Sequence, residues 1–119
     1  MRFMIIIKAD KNSEAGVMPS EQLLADMGKF NEELVKAGIM LAGEGLQPSS
    51  KGARVRFSGD KRIVTDGPFA ETREQLGGYF MVEAKDLDQA IEIAAKIPGA
   101  RKGTVEIRPV LELSGLPNT

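Results

Sequence analysis

The sequence predicts an α+β domain: a four-stranded antiparallel sheet with two helices on one face, the ferredoxin-like arrangement, and an inserted β-hairpin. Three observations carry that prediction. Two amphipathic segments, near residues 20–37 and 86–97, each lie between apolar runs of strand character. The order strand, helix, strand therefore occurs twice. Between the halves, alternating residues on either side of Gly59-Asp60 read as a hairpin.

Taken in order, Phe3-Met4-Ile5-Ile6-Ile7 is a continuous apolar run and reads as a central strand covered on both faces. Residues 11–18 show no period and are expected to form a loop. Ser20 is the expected N-cap of the first helix, with Glu21 in the first turn, where free N–H groups favour negative charge. Leu23, Met27, Phe30 and Leu34 make one apolar stripe, which Leu24 and Val35 widen. Gly38 suits the position that stops the helix. Residues 39–42 read as a second strand breaking at Gly43-Glu44-Gly45-Leu46, and residues 47–52 as a turn. In the hairpin, Val55 and Phe57 alternate with Arg54, Arg56 and Ser58, then Ile63 and Thr65 with Arg62 and Val64. Such a hairpin needs a larger sheet to pack on or extend.

Residues 70–75 are expected to make one or two helical turns. Gly77-Gly78 leads into Tyr79-Phe80-Met81-Val82-Glu83-Ala84, a strand apolar on both faces. Asp86 and Gln89 form a capping box for the second helix, whose stripe is Leu87, Ala90, Ile91, Ala94 and Ala95, stopped by Pro98-Gly99. The last strand spans residues 104–110, with Pro109 near an end or edge because it lacks a donor. Residues 1–112 are thus expected to be one domain and residues 113–119 a tail. Two helices cover only one face of such a sheet, so the apolar residues on the other face are either semi-exposed in a monomer or covered by a homodimer, the expected state.

The bulk composition narrows the function classes. A chain of 119 residues suits one domain, and 42% hydrophobic with 28% charged residues is globular composition. Sixteen Lys and Arg against 17 Asp and Glu leave a net charge of -1, which argues against nucleic acid or an anionic membrane as partner. The apolar run near the start is too short to span a bilayer and lacks signal-peptide flanks, so a cytoplasmic protein is expected. There is no Cys and no His. That removes disulfides, a thiol nucleophile, the commonest general base and the commonest metal ligand, so no cofactor or metal is expected.

Residues 65–83 are the stretch densest in polar groups and glycine. Asp66 either accepts N–H groups within its own turn, shaped by Gly67 and Pro68, or joins Glu71, Glu74 and Glu44 in a carboxylate cluster able to act as general acid and base. Such carboxylates could also hold a hard cation, although their spacing matches no established metal loop. Arg73 is a counter-ion for them, or a bidentate clamp for a carboxylate or phenolate ligand. Tyr79, the single Tyr, is either core or a hydroxyl donor lining the cavity. Phe69 is expected to plug the turn onto the core. Asp66, Glu71 and Glu74 are therefore the candidate catalytic residues, and Arg73, Tyr79 and Glu44 the candidate ligand contacts.

Asp66-Gly67-Pro68-Phe69, continued by Ala70-Glu71-Thr72-Arg73-Glu74 and Gly77-Gly78, resembles the signature of YCII-related proteins of the DGPF type. The likeness takes in Gly43-Glu44-Gly45-Leu46 with Pro48, Asp86-Leu87-Asp88 with Ala90, Pro98, and Val105-Glu106-Ile107-Arg108-Pro109, covering about residues 1–112. The resemblance implies a dimeric α+β barrel, two ferredoxin-like units packed sheet to sheet. It also implies a cleft in which related proteins are proposed to use a His–Asp pair, and one relative removes chloride from a chlorinated hydroquinone. Some members accompany sigma factors of the extracytoplasmic-function class. This chain has Asp66 but no His, which excludes a His–Asp mechanism.

Two readings follow. One is a protein that binds or transforms a small organic molecule between sheet and helices, by carboxylate chemistry. The other is a non-catalytic module that senses a ligand or docks to a partner protein such as a transcription regulator. An enclosed cavity favours the first. An exposed apolar patch outside the dimer contact favours the second.

Overall fold

The computed structural model describes residues 1–69, 76–99 and 103–112. The elements are β1 (Arg2–Lys8), α1 (Lys11–Glu14), α2 (Glu21–Lys36), β2 (Met40–Gly45), a 3-10 turn (Ser49–Lys51), β3 (Ala53–Ser58), β4 (Lys61–Asp66), β5 (Leu76–Glu83), α3 (Leu87–Ala95) and β6 (Val105–Pro109). Antiparallel strands in the order β2-β5-β1-β6 make the main sheet, and β3-β4 form a second one. This is the ferredoxin-like order with an inserted hairpin.

The apolar run at the start becomes a central strand because both its edges are paired. Phe3 lies opposite Val82 and Ile5 opposite Phe80, so these four share a face. All are buried, with Leu34 of α2 and Ala90, Ile93 and Ala94 of α3 packed over them. Phe30 meets the Phe80 ring edge-on at 6.2 Å and 83°. On the opposite face Met4, Ile6, Tyr79 and Met81 are only half-buried.

The helix ends follow local chemistry. The Ser20 hydroxyl accepts the Leu23 N–H at 3.1 Å, and Gly38 stops α2 at φ 72°. Leu24 and Val35 lie outside the stripe, at 47% and 59% exposure. At α3, Asp86 accepts the Gln89 N–H at 2.9 Å, but the Gln89 side chain reaches the Lys85 N–H, one residue before the cap. The buried stripe is Ala90, Ile93 and Ala94, continued by Ile97, while Leu87 and Ile91 are half exposed and Ala95 is exposed. Both registers fit a 3.6-residue period and share Ala90 and Ala94. The helix settles with Ile93 and Ile97 inward.

Two loops of the sequence reading are ordered elements. Residues 11–14 form α1, held by a capping box in which Asp10 accepts the Ser13 N–H at 2.8 Å and Ser13 Oγ accepts the Asp10 N–H at 2.9 Å. Four residues are too few to show a period. β2 does not break at Gly43 but runs through Gly45, which pairs with Gly78. A Cβ on Gly78 would lie 2.8 Å from the Glu44 carbonyl oxygen, so glycine lets these strands approach.

The hairpin extends no larger sheet. Register places Val55, Phe57 and Val64 on one face and Ile63 on the other, with Arg54 and Arg56. Every residue of β3 and β4 is exposed. No helix among the described residues is long and apolar enough to cross a membrane. The expected turns at residues 70–75 and the tail at residues 113–119 lie outside the described residues.

Candidate functional site

Two clefts meet at Gly45. The first is a cavity of about 380 Å³ between α2 and the helix-bearing face of the sheet, walled by Ile7, Leu23, Met27, Phe80 and Val105. Register puts Gly43, Gly45 and Gly78 on that same face, where the lack of side chains leaves the space open. Asn31, one helical turn beyond Met27, also lines it. Its Oδ1 is buried and accepts no hydrogen bond from the described residues. A buried acceptor without a donor is uncommon and costs roughly 1–3 kcal/mol unless something fills the role.

The second cleft is wider and more open, about 600 Å³, lined by Glu14, Leu46, Pro48, Ser49, Lys51, Arg54, Phe69 and Leu76 among others. It is assembled by a chain of hydrogen bonds. The Ser49 N–H donates to Glu14 Oε1 at 3.1 Å, the Ser49 hydroxyl donates to Glu14 Oε2, and Ser49 Oγ accepts the Phe69 N–H at 3.1 Å. The Gly67 N–H donates to the Gly52 carbonyl at 3.0 Å, and the Gly67-Pro68 peptide is cis. A Cβ on Gly67 would fall on the Ser49 carbonyl oxygen. The Arg54 guanidinium lies 4.0 Å from the centre of the Phe69 ring. The signature tetrapeptide is thereby locked to the 3-10 turn, and through Glu14 to α1.

The residues singled out by sequence take separate positions. Asp66 is the last residue of β4, opposite Ala53, and is exposed. Its side chain lines neither cleft and makes no hydrogen bond or ion pair with the described residues. Glu44 and Tyr79 lie directly opposite each other across β2 and β5. Both residues line the first cavity, although alternation with Gly43 and Phe80 turns their side chains toward the open face. Glu71, Arg73 and Glu74 lie outside the described residues. Phe69 is half-buried and walls the second cleft instead of plugging the core.

Sequence reasoning missed Asn31, Ser49 and Glu14. Asn31 had a signal, being a neutral polar residue four positions after Met27 on an apolar stripe. The Ser49–Glu14 pair had none, because the two are 35 residues apart. Among the described residues, no group of three or more Asp, Glu, His or Cys is placed to hold a metal ion. A clear shift in proton affinity occurs away from both clefts, at Arg2 and Glu112. Two hydrogen bonds of 2.8 Å from the Arg2 guanidinium hold the Glu112 carboxyl below its ordinary range.

The model of the YCII-related domain matches residues 1–114. An uncharacterised protein of Rhizobium meliloti (strain 1021) is 35% identical over 92 residues, covering 76% of this chain and 74% of that protein. A solved structure, 5-chloro-2-hydroxyhydroquinone dehydrochlorinase from Burkholderia phenoliruptrix AC1100 in complex with 2,5-dihydroxybenzoquinone, superposes with a TM-score of 0.53. It covers 96% of this chain and 97% of its own, at 16% identity, a likeness of fold alone. With the family's match spanning the sheet, all three helices and the locked tetrapeptide, the chain belongs to the YCII-related domain family.

Proposed function

We propose that this protein binds a small hydroxylated organic ring in the cavity beneath α2. The observation that carries the reading is Asn31 Oδ1, a buried acceptor without a donor among the described residues, in a largely apolar space. About 380 Å³ lies within the usual range for small-molecule sites. A ring fills the apolar walls, and its hydroxyl donates to Asn31. The solved neighbour's ligand, a dihydroxylated quinone, supports that ligand class.

The protein in this reading is a cytoplasmic homodimer joined through the open face. Half-buried Met4, Ile6, Tyr79 and Met81 form an apolar centre, flanked by Glu44 on β2 and by Glu106 and Arg108 on β6. Carboxylate chemistry by Asp66, Glu71 and Glu74, with Arg73, Glu44 and Tyr79 as ligand contacts, is a separate proposal from binding in this cavity. Asp66 lines neither cleft, and the Glu44 and Tyr79 side chains alternate to the open face. The geometry favours binding over catalysis. Glu44 is the carboxylate residue along the cavity wall among the described residues, and its side chain faces away.

Calorimetric titration with catechols, hydroquinones and hydroxyquinones tests the site against Asn31→Leu. That variant keeps the volume but removes the acceptor. It should bind hydroxylated rings about tenfold or more weakly, consistent with loss of roughly 1.5 kcal/mol or more. Equal affinity in both proteins, or no preference for hydroxylated over plain rings, refutes the site. Asp66→Asn tests the chemistry, since unchanged turnover of any compound found to react removes Asp66 from it.

A further inference from the structure

We propose that the β3–β4 arm docks on a second copy of this chain, an inference that rests on the homodimer reading and extends it beyond the open sheet face. An isolated two-stranded hairpin is at best marginally stable in water and needs an apolar support. Arg54 of β3 stacks on the Phe69 ring, but among the described residues no helix or larger sheet covers the arm. Its base is tied by the Gly67 N–H to the Gly52 carbonyl, but every residue of both strands is exposed.

The arm nevertheless carries a face suited to burial. Register aligns Ala53, Val55, Phe57 and Val64 on one side, with Val55 directly opposite Val64, and Arg62 and Asp66 beside them opposite Phe57 and Ala53. Phe57 is 73% exposed, Val64 54% and Val55 48%. An exposed apolar patch of Val55, Phe57 and Val64, bordered by charged residues, marks a contact surface. Among the described residues neither strand pairs with a third on its outer edge, and natural proteins cover or blunt such edges.

Charge selects the occupant. Arg54, Arg56, Lys61 and Arg62 against Asp60 and Asp66 give the arm a net charge of +2. Since the whole chain is -1, the remainder carries -3. An arm is therefore repelled by another arm and attracted to the body of another copy. A two-fold axis makes that contact reciprocal, so each dimer gains it twice. Arm and body of one sequence supply both halves of the complementarity, and no other partner is required.

The test is amide hydrogen exchange across residues 53–66, measured as protein concentration is raised through the monomer–dimer transition seen by sedimentation. Protection of the arm should rise in step with dimer formation. The double variant Val55→Ser/Phe57→Ser should weaken dimerisation at least tenfold while leaving cavity ligand affinity unchanged. A dimer whose arm exchanges at one rate at every concentration overturns the inference and leaves the homodimer reading standing. A chain that stays monomeric overturns both, and an arm protected in the monomer shows that it packs on its own body. If the double variant fails to fold, wild-type exchange still decides. A cysteine at Asp60→Cys would be the chain's single thiol, and its crosslinking to the body of another copy is the confirming result.

Discussion

Removing the Ser49 hydroxyl should destabilise this protein by about 2 kcal/mol. Ser49 Oγ donates to the Glu14 carboxylate and accepts the Phe69 N–H at 3.1 Å, so Ser49→Ala breaks two bonds. A hydrogen bond to an ionised group contributes roughly 1.5–3 kcal/mol net and a neutral one roughly 0.5–1.5. Glu14 retains its bond from the Ser49 N–H, and the site is only partly buried, so water replaces some of the loss. That places the effect near the low end of the combined range. At about 2.1 cal/mol/K of unfolding entropy per residue, a chain of 119 residues should lose about 8 °C in Tm. Urea and thermal unfolding of wild type, Ser49→Ala, Glu14→Gln and the double variant give the coupling, expected at about 1 kcal/mol. A Ser49→Ala loss under about 0.5 kcal/mol, or no coupling with Glu14, would show that the signature loop is held by something else.

Three further outcomes are expected. Gly67→Ala puts a methyl on the Ser49 backbone carbonyl, which cannot swing aside as a flexible side chain would; a loss of about 1–3 kcal/mol and faster exchange of the Phe69 amide are expected, and an unchanged Tm counts against the packing. Phe80→Ala removes a core ring and its edge-on contact with Phe30, and should lower stability by about 3–5 kcal/mol in urea unfolding, a loss below 1.5 being inconsistent with its position. At Arg2–Glu112 the folded carboxyl titrates lower than the unfolded one. The pair therefore contributes above the unfolded glutamate value, and the contribution is lost as pH falls through the lower folded value. Arg2→Ala should return the Glu112 midpoint, followed by NMR, to the ordinary range; an unmoved midpoint means that the ion pair is not the cause.

The elements that could be read from sequence are those whose signal is local and long. The stripe of Leu23, Met27, Phe30 and Leu34 and the apolar strand at Phe3 to Ile7 each repeat a pattern over enough residues to be recognised, and with the Asp86 cap they place the core. α3 shows where this stops. Ala90 and Ala94 belong to two overlapping stripes, and which one is buried depends on how Ile93 and Ile97 fit against Phe80 and Val82, a matter of tertiary packing. The candidate site was less legible for a related reason. Asp66, Glu44 and Tyr79 are close to the same glycines in sequence, but strand alternation turns Glu44 and Tyr79 to the open face, and Asp66 ends on the hairpin. Ser49 and Glu14 meet across 35 residues without any local mark.

The role of the tetrapeptide follows from those contacts. Gly67 is required by the Ser49 carbonyl, Phe69 is fixed through its N–H and by Arg54, and none of these contacts needs a proton donor or acceptor of tunable strength. A sequence signature can thus arise from how tightly a loop is fastened. The loop walls a cleft that meets the cavity at Gly45, and the buried polar atom left without a partner there among the described residues is a neutral amide oxygen. An amide cannot take up a proton in the working pH range, but it can accept a hydrogen bond from a hydroxyl on a bound ring. In the binding reading proposed above, that arrangement would discriminate among ligands by their hydroxyl groups.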